Sequence, residues 1–182
     1  MNIYIAGNKN YGLAAELYQL YPNAVFASRT NGGYDFTRAD SQTKFAEDSL
    51  AADVVIICSE LWRFNQTLLL EAVYKKHKEA GKSTRIICIG STIDRVKKGS
   101  DWIYGAEKRA LRDYANSLSL SGVWNGGPKV TLISFGTLSN VQHKHPDRKT
   151  LPINQAAEYI SWIIQQPSSL HINEISLDPL QA

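Results

Sequence analysis

Short apolar runs and longer amphipathic stretches alternate along the whole chain, and this alternation leaves few folds open to it. NIYIAG, AVFAS, DVVIICS, TRIICIGS, KVTLISF and HINEISL read as strands, several of them apolar at nearly every position, as strands covered on both faces are. Between them, residues 12–21, 40–51, 64–80, 102–120 and 153–165 carry helical periodicity. Strand followed by helix, repeated, implies an α/β fold: a doubly wound parallel sheet with helices on both faces. At 182 residues, 43% of them hydrophobic, the chain can fill one core and falls short of the usual length for two. A single domain over residues 1–182 is expected.

The same counts exclude several classes of function. A net charge of +3 is too small to argue for nucleic acid, and the basic clusters KKHK (75–78) and RVKK (95–98) lack interleaved aromatics, so both read as solvated faces. No apolar run reaches the roughly 18 to 20 residues a bilayer requires, and MNIYIAGNKNYG lacks the pattern of a signal peptide. A cytoplasmic protein with no membrane partner is expected. Cys58 and Cys88 end two similar apolar runs and read as reduced core thiols. His143 and His145 in QHKHPD lack nearby Cys or acidic partners in sequence, so no metal site is expected.

In open α/β sheets, ligands bind beyond the carboxyl ends of the strands. The first strand runs into GNKNYGLAAEL, where Gly7 and Gly12 bracket a turn feeding a helix. Backbone N–H groups of Gly7, Asn8, Asn10, Tyr11, Gly12 and Leu13 would then converge with the positive end of the helix dipole on one place, which suits a pyrophosphate. At the tip of the second strand, where an acid favours NAD and an arginine favours the 2′-phosphate of NADP, stand Ser28 and Arg29. NADP is therefore the expected cofactor, with NAD possible. The aperiodic segment 137–152 follows a strand and is expected to cover a ligand.

Tyr104 and Lys108 lie four apart in a helical stretch, so their side chains share one face. A second Tyr-x-x-x-Lys, Tyr74 and Lys78, shows that spacing alone decides nothing. Context separates the two: Ser91 ends the strand preceding Tyr104, at the sheet edge where chemistry is expected, and Asn65 opens the helix before that. A phenol is a poor base at neutral pH, and a close ammonium would favour its ionised form.

With Asn65, Ser91, Tyr104 and Lys108 in this order, the sequence resembles the short-chain dehydrogenases/reductases, as an unusually short member. The resemblance runs through AGNKNYGLA, the Ser28–Arg29 pair, Asp35 in DFT after a vestigial third strand, Ser91, YGAEK, SFGT with Gly136 and Thr137, and INEISLDP. It implies a Rossmann-type sheet, an NAD or NADP cofactor, and hydride transfer between a small-molecule carbonyl and an alcohol. Carried over, Tyr104 is the general acid, Lys108 lowers its pKa and binds the nicotinamide ribose, Ser91 holds the substrate oxygen, and Asn65 supports a proton-relay water. The resemblance also implies a homodimer or homotetramer, packed through helices 64–80 and 102–120.

The departures bear on function. The second glycine of the turn comes one residue late and Ala14 takes the third place; Cys58-Ser59-Glu60-Leu61 replaces the usual Asn-Asn-Ala-Gly wall on the adenine side; Phe135 stands where a proline is usual. Trp62 and Phe64 are placed either in a substrate pocket or in a core or oligomer contact. Three other readings stay open: a nucleotide-binding protein without turnover, an epimerase or dehydratase needing a larger C-terminal region, and an interaction protein that binds no nucleotide tightly.

Overall fold

The computed structural model describes residues 1–95 and 102–180. Val96, Lys97 and Lys98 of the basic cluster at 95–98 lie outside the described residues. Six strands form one sheet: β1 (Ile3–Ala6), β2 (Val25–Ala27), β3 (Val54–Ile57), β4 (Arg85–Ser91), β5 (Lys129–Phe135) and β6 (Glu174–Leu177), in the order β2-β1-β3-β4-β5-β6 with every pairing parallel. The helices are α1 (Gly12–Leu20), α2 (Ala39–Asp48), α3 (Asn65–Glu79), α4 (Ile103–Asn125) and α5 (Ile153–Gln165). This is the Rossmann-type architecture expected from the alternation. The chain moves outward from β1 to β2 and returns on the other side of β1 as β3. The strand order reverses between β1 and β3, the point at which open α/β sheets bind ligands beyond their carboxyl ends.

The sheet is apolar on both faces because each face meets its own helices. Val55, Ile57, Ile86, Cys88, Val130 and Leu132 pack with Leu69, Leu70 and Val73 of α3 and Leu111 and Ala115 of α4. Their alternates Val54, Ile56, Ile87, Ile89 and Ile133 pack with Leu13 and Leu17 of α1 and Ala156, Ile160 and Ile163 of α5. Fully burying a side chain of this size contributes about 1.5 to 3 kcal/mol, so the two faces together hold the layers closed. No helix of the described residues is long and apolar enough to cross a membrane.

The structure departs from the sequence reading in four places. The vestigial strand around Asp35 does not form: residues 28–34 close on themselves instead, with Ser28 and Asn31 exchanging backbone hydrogen bonds and the Tyr34 N–H donating to the Ser28 carbonyl. α2 gives way to a 3-10 turn at Ser49–Ala51, within a stretch expected to be helical throughout. α4 runs on to Asn125, five residues past the expected end at 120, because Ser119 and Gly122 are buried and the Ser119 hydroxyl bonds His171 and Asn173. The loop 137–152 contains a 3-10 turn, Ser139–Lys144, and is cross-braced by Gln142, whose amide donates to the carbonyls of His145, Pro146 and Arg148.

The KKHK cluster is not a uniformly solvated face. His77 is fully buried, its ring nitrogens bonded to Ser49 Oγ at 3.0 Å and Thr84 Oγ1 at 2.8 Å, while Lys75 and Lys78 point outward. Burial pulls the His77 pKa down to about 4, with Lys82 adding a smaller push the same way. His171 is lowered too, first by burial and then by Lys129 and Arg85. A histidine that binds its proton less readily folded than unfolded costs stability as pH falls from about 6.5 towards 4, since the unfolded chain gains the proton first. Stability is therefore expected to fall by about 2 to 3 kcal/mol over that window from His77. Urea unfolding at pH 7 and pH 4.5 measures the loss; His77→Gln should flatten most of it, and an equal pH slope in wild type and variant would assign the loss to other groups.

Candidate active site

Tyr104 stands at the first turn of α4 and Ser91 at the carboxyl end of β4, with the serine hydroxyl near enough to act on the phenol. The Ser91 oxygen also accepts the Ile93 N–H at 3.4 Å. Lys108, one helical turn on, is buried, with only 7% of its surface exposed. Its ammonium lies over the Tyr104 ring, 5.4 Å from the centroid, and donates to Gln66 Oε1 at 2.7 Å. Three of the four expected catalytic side chains thus lie together at the carboxyl edge of the sheet.

Asn65 does not join them. Its amide turns back to the Trp62 carbonyl at 2.7 Å, closing the start of α3, and its Oδ1 accepts from Gln42 at 3.4 Å. The next residue, Gln66, faces inward: its carbonyl oxygen takes the Lys108 ammonium and its amide donates to the Ile89 carbonyl at 2.7 Å. Beside them is a cavity of about 10 Å³ lined by Leu61, Phe64, Gln66, Thr67, Glu107, Lys108 and Leu111, room for about one water. Helical phase explains the exchange: the inward face of α3 carries Gln66, Leu69, Leu70 and Val73, one residue out of step with Asn65.

The electrostatics of Tyr104 also differ from expectation. Its pKa is pushed up to about 12, first by burial, then by the carboxylate of Glu60 and to a smaller extent that of Glu107, with the Ser91 hydroxyl pulling the other way. The Lys108 ammonium is spent on Gln66 and the ring face, so it does not pull the phenol down. Lys108 itself is lowered, because burial disfavours its charge more than the surrounding acids favour it. The phenol is thus held protonated at neutral pH and suited to donate.

Glu107, read from sequence only as the fourth letter of YGAEK, is buried, and its Oε1 accepts the N–H groups of Arg63 at 2.5 Å and Phe64 at 3.3 Å. Both residues adopt left-handed backbone, with φ of 58° and 61°, a costly conformation for side chains of this size. The carboxylate offsets that strain and fixes the turn carrying Trp62. Trp62 and Trp102 then flank Tyr104, with ring centroids 5.8 Å and 4.7 Å from it. No signal in the sequence announces a left-handed turn without glycine.

The candidate cofactor cradle lies at the ends of β1, β2 and β3. Gly7 is where helix and strand come closest: a Cβ there would sit 2.6 Å from Cys58 Sγ and 2.8 Å from the Ala14 Cβ. Gly12 takes φ +58° at the head of α1, where only the Asn140 amide lies near an added Cβ, and Tyr11 offers no side-chain cap. The extra residue of the turn is absorbed locally: Asn8 accepts the Asn10 N–H through Oδ1 and the Tyr11 N–H through its carbonyl, and Lys9 N–H goes to Asn31. Leu13 is buried and Tyr11 exposed. Gly7, Asn10 and Tyr11, whose N–H groups were expected to face a pyrophosphate, donate within the protein instead, Gly7 to the Ala27 carbonyl, which leaves the N–H groups of Gly12 and Leu13 at the head of α1 for an anionic group. Cys58 and Ser59 both turn inward to the Ala6 carbonyl, and burial lifts the Cys58 thiol to about 12. Gly136 packs under Asp178 and Pro179, with its N–H on the Leu177 carbonyl, and the Thr137 carbonyl accepts the Leu151 N–H.

Arg29 does not stand without an acid. It is exposed, and its Nη2 pairs with Asp35 Oδ1 at 2.9 Å, the same oxygen that Thr37 holds through its N–H and hydroxyl. Asp35 is lowered to about 2 by Arg29 first and Thr37 second. Asp35 does not adjoin the tip of β2 in sequence and reaches it across the loop 30–34.

No family model matches the chain, and no curated protein sequence matches it. Solved structures do. A short-chain dehydrogenase from Burkholderia cenocepacia in complex with NADP superposes with a TM-score of 0.77 at 15% identity, over 96% of this chain and 87% of that one. Serine dehydrogenase from Escherichia coli gives 0.72 at 16% identity, over 97% of both chains. A short-chain dehydrogenase from Leptospira borgpetersenii with bound NAD+ gives 0.72 at 14% identity, over 97% of this chain and 90% of that one. The chain has the fold of the short-chain dehydrogenases/reductases.

Proposed function

We propose that the protein is a nicotinamide-dinucleotide-dependent oxidoreductase that interconverts a carbonyl and an alcohol. The observation carrying this reading is the Lys108 ammonium over the Tyr104 ring at the carboxyl edge of the sheet, with Ser91 beside the same phenol. The residues along this edge fit a dinucleotide: an open helix head for the pyrophosphate, Arg29 at the adenosine end, and Lys108 at the nicotinamide end. The bound cofactor supplies the hydride. Tyr104 gives its proton to the substrate oxygen, Ser91 orients that oxygen, and Lys108 leaves Gln66 to hold the ribose. Purified protein titrated with NADPH, followed by cofactor oxidation against a panel of carbonyls, tests the reading; no binding at all would overturn it. We place the protein in the cytoplasm as a homo-oligomer.

NADP is the preferred form in this proposal, and the Arg29–Asp35 pair sets the preference. A surface pair is worth little, so Arg29 can leave Asp35 for a 2′-phosphate at small cost. Arg29→Ala is expected to weaken NADPH binding about tenfold, the loss of one charge-assisted contact, and to leave NADH unchanged. Asp35→Asn should tighten NADPH, and Arg29→Asp should reverse the preference. Equal affinity of wild type for NADH and NADPH in a fluorescence titration would defeat this assignment.

A second reading has its own support. The raised Tyr104 and the Lys108–Gln66 contact also suit a nucleotide-binding protein without turnover; it predicts NADPH binding with no oxidation across the panel.

A further inference from the structure

Tyr104 sits in a row of three rings. Trp102 stacks on it with an interplanar angle of 26°, and Trp62 meets it tilted at 49°. Both tryptophans keep half their surface open, 51% and 50%, and Phe64 on the same turn is 38% exposed. Large aromatic side chains with one side packed and the other in water are costly to leave uncovered, and they present π faces to whatever approaches. Left-handed backbone at Arg63 and Phe64, tied to Glu107, keeps the Trp62 turn in place before any ligand arrives. A preset wall of this kind loses little freedom on binding.

Charge adds a second selection. The carboxylates of Glu60 and Glu107 both act on the phenol, and the Lys108 ammonium over its ring is already hydrogen-bonded to Gln66. An anionic group brought beside the phenol would be repelled by both.

We propose that this site takes a flat aromatic carbonyl or alcohol without negative charge, its ring seated against Trp62 and Trp102 with the reacting oxygen at Tyr104 and Ser91. The assignment rests on the oxidoreductase reading for the chemistry, and on the aromatic wall and carboxylates alone for the binding. In reduction, hydride adds to the carbonyl carbon as the reduced cofactor is oxidised, and the Tyr104 proton goes to the oxygen.

Two series separate the binding from the chemistry. Benzamide, cyclohexanecarboxamide and 4-carbamoylbenzoate, which undergo no reduction here, are titrated calorimetrically into the full chain loaded with NADP+. Benzamide is expected to bind about tenfold more tightly than its saturated counterpart, and Trp62→Ala to remove that difference while leaving NADP+ affinity unchanged. The carboxylate should bind weakest and recover in Glu60→Gln. Benzaldehyde, cyclohexanecarbaldehyde and 4-carboxybenzaldehyde, assayed with NADPH, should follow the same order in kcat/KM. Equal binding of benzamide and cyclohexanecarboxamide, or a preference that survives Trp62→Ala, overturns the proposal even if the aldehydes are reduced. The expected binding order with no aldehyde reduced supports the aromatic site and sinks the oxidoreductase reading.

Discussion

Tyr104→Phe is expected to lower turnover by about 10²- to 10⁴-fold, the usual contribution of a positioned general acid, with NADPH affinity nearly unchanged. In the mechanism proposed the phenol acts on the reacting oxygen, and its ring stays in place in the variant, so the Trp102 and Trp62 contacts survive the substitution. Ser91→Ala should behave alike, having lost the orienting hydroxyl. The control is Tyr74→Phe. Tyr74 lies in the other Tyr-x-x-x-Lys with Lys78, is buried, and its hydroxyl has no hydrogen-bond partner among the described residues. Removing an unsatisfied buried hydroxyl relieves a cost, so this variant should turn over normally and be no less stable. Steady-state rates with any accepted carbonyl decide the matter: equal rates in wild type and Tyr104→Phe would end the mechanism proposed.

The raised phenol gives the same reaction a direction. A group at about 12 is almost wholly protonated at neutral pH, so reduction finds its acid ready across that range. Alcohol oxidation needs the phenolate. Its rate should therefore climb with pH through the alkaline range, while the reduction rate stays level near neutrality.

How far the sequence carried this depends on the kind of contact. The parallel sheet covered on both faces followed from periodicity because a run such as Val54–Ile57, buried at every position, can do little else. Tyr104 and Ser91 were legible because each stands at an element end, and the fold sends those ends to one edge. Gln66 was not. Choosing it over Asn65 required the rotation of α3 against β4, which is set by Leu69, Leu70 and Val73 rather than by any motif. Glu107 and the Trp62 turn were hidden for a related reason: the carboxylate's partners are backbone N–H groups made available only by left-handed residues 44 and 43 positions away. Asp35 reached Arg29 through a loop whose closure depends on Ser28, Asn31 and Tyr34. Contacts made by one element's own periodicity were readable, and contacts made by the phase between elements were not.

Gln66 carries the second large effect. Lys108 is a buried ammonium, and the Gln66 carbonyl oxygen is its hydrogen-bond acceptor at 2.7 Å. Replacing Gln66 with leucine removes the acceptor and leaves the charge in place. Breaking a buried pair by removing one partner is strongly destabilising, because the remaining charge is neither solvated nor paired. Gln66→Leu is therefore expected to cost about 3 kcal/mol. It should also depress the Lys108 pKa further, since losing its proton is the cheaper escape. Lys108→Met alone removes the charge and leaves a neutral amide that still donates to the Ile89 carbonyl, so its cost should be smaller. The double variant replaces both groups by apolar ones of similar size and should recover most of the stability lost in Gln66→Leu. Turnover should not recover with it, because the ammonium proposed to hold the ribose is gone. Denaturant unfolding of the four proteins gives the coupling energy, and NADPH titration gives the functional arm. A double variant no more stable than Gln66→Leu would show that the contact does not tie Lys108 down, and one that regained full turnover would remove Lys108 from the active site.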